Sequence, residues 1–351
     1  MEQKFVYYII LVLYLILFSF CEKSTKPDEE EEEKKYPNWT VYSKTNSPLP
    51  NNFIRTIFID ATDNKWIGTP NGLVKIADSV WTVYDTSNSG LPHNNINAIY
   101  ANEKGIVWIA CYNDDGYKTL AKFDGTNWAY FDQKDLDIFS ELVFSIEMDS
   151  DGNVWAGTAS GGGLAKFDGT NWEKFTSDNS CLPPCGISDI IFNKDGYLWL
   201  ASTQGLINFD GSNCNLYNEA NSDLPGDMVR SLALDEDGSI WVGCSIFDNS
   251  DDGGIAKFNG TNWIVYKKSN SALPVNYIKS LAIDTDNTLW FIYLAWSSIP
   301  GGLVKLDGDS LTIYTPANSG LQSSHLETIA IDTNGNKWIG SYDGIYVYCG
   351  G

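Results

Sequence analysis

What this 351-residue chain has least of does most to limit its chemistry. It holds two histidines, His93 and His325, and two such ligands without a third give poor grounds for a metal centre. It holds two arginines, Arg55 and Arg230, within a net charge of −22. A surface that acidic repels a phosphate backbone, so nucleic acid is excluded as a partner. No nucleophile elbow, phosphate loop or paired-Cys motif occurs, which removes the usual hydrolase, nucleotide and zinc signatures. The cysteines form no framework; Cys181 and Cys185, in CLPPC, are close enough in sequence to be expected as a pair. Long apolar runs are also scarce. The one at residues 5–20 (FVYYIILVLYLILFSF) is too short for a comfortable membrane span.

Cys21 follows that run directly, and a polar stretch rich in Glu and Lys comes next. A hydrophobic segment ending in Cys before a charged tether resembles a bacterial lipoprotein signal. That resemblance implies lipid on Cys21, with residues 1–21 as signal and 22–36 as flexible tether. The remainder is then exported to the cell envelope and meets the membrane only through its anchor. Phe20 stands where such signals prefer Gly, Ala or Ser, and an uncleaved apolar anchor is the alternative.

Glycine and aromatic residues, by contrast, are plentiful and regularly placed. One tryptophan series is Trp66, Trp108, Trp155, Trp199, Trp241, Trp290 and Trp338. A second is Trp39, Trp81, Trp128, Trp172, Cys214, Trp263 and Leu311, each 27 residues before its partner in the first. The other interval varies from 15 to 22 residues. Short strands bounded by Gly and Asn turns, at a period of 42 to 49, describe a β-propeller blade. We therefore expect an all-β domain at residues 37–351, with seven blades of four strands, A to D from the centre outwards. The chain enters on a lone D strand (residues 39–42) and its last unit stops after a C strand, so the first should close the ring. The repeat tryptophans are expected to be scaffold.

The A–B turns (DATDN, DSDGN, DTNGN) and C–D turns (DGTN) are short and uniform, and suit tight turns better than calcium loops. Length variation falls in the B–C loops on the opposite face, where repeat proteins place their binding surface.

These repeats resemble the two-component regulator propeller family of the Bacteroidetes. The matching stretches are NSGLP (88–92), DATDNKWIGTPNGL (60–73), AKFDGTNW (121–128 and 165–172) and DTNGNKWIGSYDGI (332–345). The resemblance implies a ligand-sensing ectodomain associated with carbohydrate uptake. Family members are often joined to a histidine kinase; here the repeats run to the last residue, so a separate signalling or uptake protein is the expected partner. The shared motifs are scaffold and transfer no binding residue.

Site residues must come from positions where the repeats differ. Eleven residues before each first-series Trp stand Arg55, Asn97, Phe144, Ser188, Arg230, Lys279 and Glu327. These should ring the channel mouth, and an arginine fork suits a carboxylate or sulfate. The structural alternative is that Glu327 pairs with Arg55 and only fixes blade packing.

The B–C loops add Tyr112, Asp114, Asp115 and Tyr117; Phe247, Asp248, Asp251 and Asp252; and Tyr293 with Trp296. Trp296 is the one tryptophan off the repeat. Aromatic faces beside carboxylates suit a sugar, so Tyr293 and Trp296 are expected to stack on it; local packing is the alternative for Trp296. Residues 248–253 faintly resemble a calcium loop but have Asn259 where the twelfth, acidic ligand belongs, so no cofactor is expected.

The expected function is binding of a small molecule or oligosaccharide, most naturally a carbohydrate with an acidic group, without catalysis. Two alternatives stand beside it. One is a lyase or hydrolase, since streptogramin lyases are seven-bladed propellers and His325 neighbours Glu327. The other is a protein-interaction scaffold.

Overall fold

The computed structural model describes residues 36–132, 142–245 and 252–350. The apolar run, Cys21 and the tether to residue 35 lie outside these, as do most of the faint calcium loop and Phe247. Within the described residues the secondary structure is strand and turn. Seven four-stranded antiparallel sheets are present. Blades 1 to 7 begin with the inner strands β2 (Thr56–Ile59), β6 (Asn95–Ala101), β10 (Val143–Met148), β14 (Ile187–Phe192), β18 (Val229–Leu234), β22 (Ile278–Ile283) and β26 (Leu326–Ile331). Each inner strand touches the next around a closed ring, with β2 beside both β6 and β26.

Closure is as the repeat requires. Strand β1 (Trp39–Tyr42) lies antiparallel on β28 (Ile345–Tyr348), with Trp39 opposite Tyr348 and Tyr42 opposite Ile345. It is the outer strand of blade 7, and it covers an edge that would otherwise be open.

The turns close on their own side chains. Asp124 Oδ1 accepts the N–H groups of Thr126 (2.9 Å) and Asn127 (2.6 Å), and Gly125 takes a φ of 93° that a larger residue would resist. On the A–B turns the same device reaches the core. Asp60, Asp149, Asp235, Asp284 and Asp332 each accept the indole N–H of the Trp six residues on, at 2.7–3.0 Å. At Asp60 burial opposes ionisation, yet the bonds from Trp66, Asn64 and Thr62 outweigh it and hold its pKa below the usual value. Blades 2 and 4 carry Asn102 and Asn193 instead. In blade 4 the buried Trp199 Nε1 is left without a hydrogen-bond partner.

The second-series tryptophans close the rim. Trp128 stacks on Phe123 at 4.4 Å and Trp263 on Phe258 at 4.2 Å, each pair being cross-strand partners. Blade 4 departs from this pattern and from the expected cysteine pairing. Cys181 bonds Cys214, 33 residues away, with Cα atoms 5.7 Å apart. Cys185 stays a thiol, buried at the start of the inner strand, with its pKa pushed up by burial. Nearness in sequence misled, because the partner is fixed by packing of the connection on the outer strand.

Candidate loop-face site

The seven positions picked out by spacing share one backbone feature. Asn97, Phe144, Ser188, Arg230, Lys279 and Glu327 each sit at a register shift in their inner strand, as between Ile96 and Ala98 or Val229 and Ser231. A bulge turns one side chain away from the pleat. Arg55 occupies the equivalent place just before β2, its N–H bonded to Gly68 O at 2.9 Å. Two residues upstream, the carbonyls of Leu142, Gly186, Met228, Tyr277 and His325 each accept an N–H from the B–C loop of their own blade, at 2.8–3.2 Å. Ring and loops thus lie on one face.

The ring residues divide into two sectors. Over blades 5 to 7, Lys279 Nζ pairs with Glu327 Oε2 at 3.0 Å. The alternative pairing of Glu327 with Arg55 is therefore corrected: the neighbouring blade's lysine holds the acid. Arg230 donates from Nε to Ser245 Oγ (3.1 Å) and from Nη2 to Met228 Sδ (3.0 Å), and burial lowers its pKa. Tyr277 lies near Arg230 and Glu327, and burial pushes its hydroxyl up to about 12.

This sector also decides the two expected stacking residues. Tyr293 is 1 % exposed, because β23 (Leu289–Tyr293) extends to include it and turns its ring into the core. It cannot stack on a ligand. Trp296 is half-buried, packed parallel to Tyr277 at 6.1 Å within a tight turn closed by paired backbone bonds to Ile299. Local packing, the alternative reading, describes its position.

Over blades 7, 1 and 2 the arrangement is more open. His325 lies parallel to Tyr342, 7° between planes and 5.5 Å between centroids. Tyr342 meets Phe53 edge-on at 4.5 Å. The Arg55 guanidinium sits over both Phe53 (5.3 Å) and Tyr112 (5.2 Å), and its Nη1 donates to the Tyr112 hydroxyl. Asn97 Nδ2 ties the neighbouring seam to Val143 O at 2.6 Å. Tyr342 is 47 % exposed. Beyond Tyr112, a crevice of about 10 Å3 beside Asn97 and Lys118 has room for about one water. A ligand here would lie on a surface.

Sequence reasoning brought Arg55, Asn97, Tyr112 and His325 to this sector and missed Phe53 and Tyr342. A signal for Phe53 was present: it stands at the same repeat position as Tyr277 and His325, two residues before the ring. Among the described residues, no three His, Cys, Asp or Glu side chains are grouped to hold a metal ion.

The family described as "Two component regulator propeller" matches at residues 90–113, 137–160 and 223–245. No curated protein matches the chain. Among solved structures, the chain is similar to the extracellular domain of what is described as a hybrid two component system of B. thetaiotaomicron. Identity is 19 % and the TM-score 0.68, over 88 % of this chain and 39 % of that one. The chain thus spans about two fifths of that relative's length. Virginiamycin B lyase from Staphylococcus aureus is 14 % identical at TM-score 0.68, over 88 % of this chain and 98 % of the lyase. The WD40 propeller domain of Doa1 is 13 % identical at TM-score 0.57, over 84 % and 92 %. At these identities the structures share a fold. The three matched segments are similar to two component regulator propeller repeats.

Proposed function

We propose that this chain is an exported, sensor-like binding propeller whose ligand is a carbohydrate laid across the loop face over blades 7, 1 and 2. The observation that carries this is the row Tyr342, Phe53, Arg55 and Tyr112, in which a cation is held between aromatic rings beside a 47 % exposed tyrosine. Aromatic faces suit the apolar faces of sugar rings. An arginine has five N–H donors in one plane, and its bond to Tyr112 uses one of them. The rest suit a carboxylate or sulfate on the ligand. Similarity of the repeats to the two component regulator family supports sensing, and a separate signalling or uptake protein would respond to the bound state.

Envelope placement, by lipid on Cys21, belongs to the same proposal. The Cys181–Cys214 bond supports export, since disulfides persist in oxidising compartments. Binding is favoured over lyase chemistry because His325 lies flat on Tyr342 and Glu327 is ion-paired with Lys279.

Residues 36–351 on an array of neutral and acidic glycans provide the test. Binding that Arg55→Ala weakens about ten- to a hundredfold, at an unchanged melting temperature, is the expected result. No glycan bound, or full binding by both Arg55→Ala and Tyr342→Ala, overturns the proposal.

A further inference from the structure

Six connections between blades carry Asn-Ser-x-Leu, where x is Pro48, Gly90, Cys181, Asp223, Ala272 or Gly320. The frame around x is constant. Ser89 Oγ accepts Leu91 N–H at 3.2 Å, and Ser180 Oγ accepts Leu182 N–H at 3.2 Å. Asn88 and Asn179 each reach back five residues to a carbonyl, at 3.0 and 2.7 Å.

What x touches is the second-series residue on the outer strand of the next blade. A Cβ added to Gly90 would meet the Trp128 side chain at 2.7 Å, and one added to Gly320 would collide with Trp39. Glycine is there because an indole fills the space. At blade 4 the two positions are Cys181 and Cys214, the latter on β17 (Cys214–Tyr217). Phe209, cross-strand partner of Cys214, is 1 % exposed without an indole stacked on it. One covalent bond stands where the other seam uses a glycine under a tryptophan.

We propose that this disulfide is a redox latch, so that a dithiol reductant opens the blade 4 seam and leaves the other seams closed. Cys181 is exposed, within reach of an attacking thiolate. The dithiol supplies two electrons and two protons and becomes a disulfide; the Cys181–Cys214 bond breaks and both become thiols. Release is felt beyond the rim. The freed connection runs straight into β14, where Asp189 accepts the Leu232 N–H of blade 5 (2.9 Å) and the Ser145 hydroxyl of blade 3 (3.2 Å). Cys111, Cys185, Cys244 and Cys349 are already thiols, so the reductant acts at one bond among the described residues.

Hydrogen exchange of the propeller, oxidised and after dithiothreitol, tests the latch. Reduction should speed exchange about a hundredfold over residues 176–186 and β17, with blade 1 unchanged. A chain with Cys181→Gly and Cys214→Trp, which installs the contact seen at Gly90 and Trp128 and at Gly320 and Trp39, should exchange slowly with or without reductant. A chain with both cysteines changed to Ser should match the reduced wild type in either condition. Unchanged exchange on reduction, uniform loosening of all seven blades, or a Gly/Trp chain as fast as the Ser/Ser chain would each overturn the proposal.

Discussion

On the turn face, Asp60, Asp149, Asp235, Asp284 and Asp332 repeat a single bond to an indole. On the loop face, Arg55, Asn97, Arg230 and Lys279 occupy one repeat position and make four different contacts. The turn face is also cemented between blades: Lys65 reaches Asp332 at 3.6 Å and Lys337 reaches Asp284 at 3.4 Å. One bond serves five blades because each blade has the same turn to close and the same indole beneath it. A binding surface needs the reverse, since a ligand distinguishes one sector from another. The same repeat serves both because the bulge at the mouth frees one side chain per blade from packing.

The largest expected effect comes from breaking the ring itself. Deleting residues 36–45 removes β1 and exposes the edge of β28, and cooperative melting should be lost or shifted far down. Unchanged melting would sink the closure geometry. A smaller blow to the turn face is Trp155→Ala, which empties a buried site and removes the indole bond to Asp149, at a cost of about 3–5 kcal/mol by denaturant titration. Its loop-face counterpart, Tyr342→Ala, should cost within about 0.5 kcal/mol. Equal costs would erase the division between scaffold and site.

A pH titration sharpens the contrast further, because the channel wall carries acids of its own. Burial, with the Asp189 charge adding to it, pushes Glu147 up to about 7, where it meets the Tyr100 hydroxyl. Burial pushes Asp189 up to about 6 against the bonds it accepts. Both folded pKa values exceed the unfolded ones, so the folded state binds more protons and this stabilisation is complete below pH about 4. It is lost as pH rises through 6 to 7. The turn-face carboxyls act oppositely: Asp60, Asp149 and Asp332's neighbour Asp284 are shifted down and withdraw support only in acid. Melting temperature should therefore peak between about pH 4 and 6 and decline towards 8, and Glu147→Gln should flatten the decline. A curve flat from pH 5 to 8 in the wild type would contradict the enclosed acids.

The smallest effect is a gain. Asn193→Asp gives the Trp199 indole the acceptor found in five other blades and should stabilise by about 1 kcal/mol. Loss of stability there would mean the unpaired N–H is satisfied in another way.

Most of this fold was legible because its determinants are periodic. An interval of 27 residues, held seven times, fixes blade number, the strand that closes the ring and the face that varies. The ring of seven was legible for the same reason. What resisted reading was contact between non-equivalent parts. Glu327 found Lys279 because bulged side chains reach sideways to the neighbouring blade, in a direction that spacing does not specify. Tyr293 was misplaced although the repeat encodes it: it stands at the position of Thr69, Thr158 and Ser202, the buried last residue of the second strand in those blades. Cys181 could have been paired correctly by aligning it with Gly90 and Cys214 with Trp128, since the repeat itself encodes that contact.

Closure on β1 has a consequence for how the disc can be held. Trp39 and Tyr348 are paired level with Lys337, beside an A–B turn, and the Cys349 N–H bonds Asn38 O at 2.9 Å. Tyr36 and Gly350 therefore emerge together on the turn face. An attachment made at Tyr36 or at Gly350 thus meets the propeller at its turn face, while the loop face lies at the opposite ends of the strands.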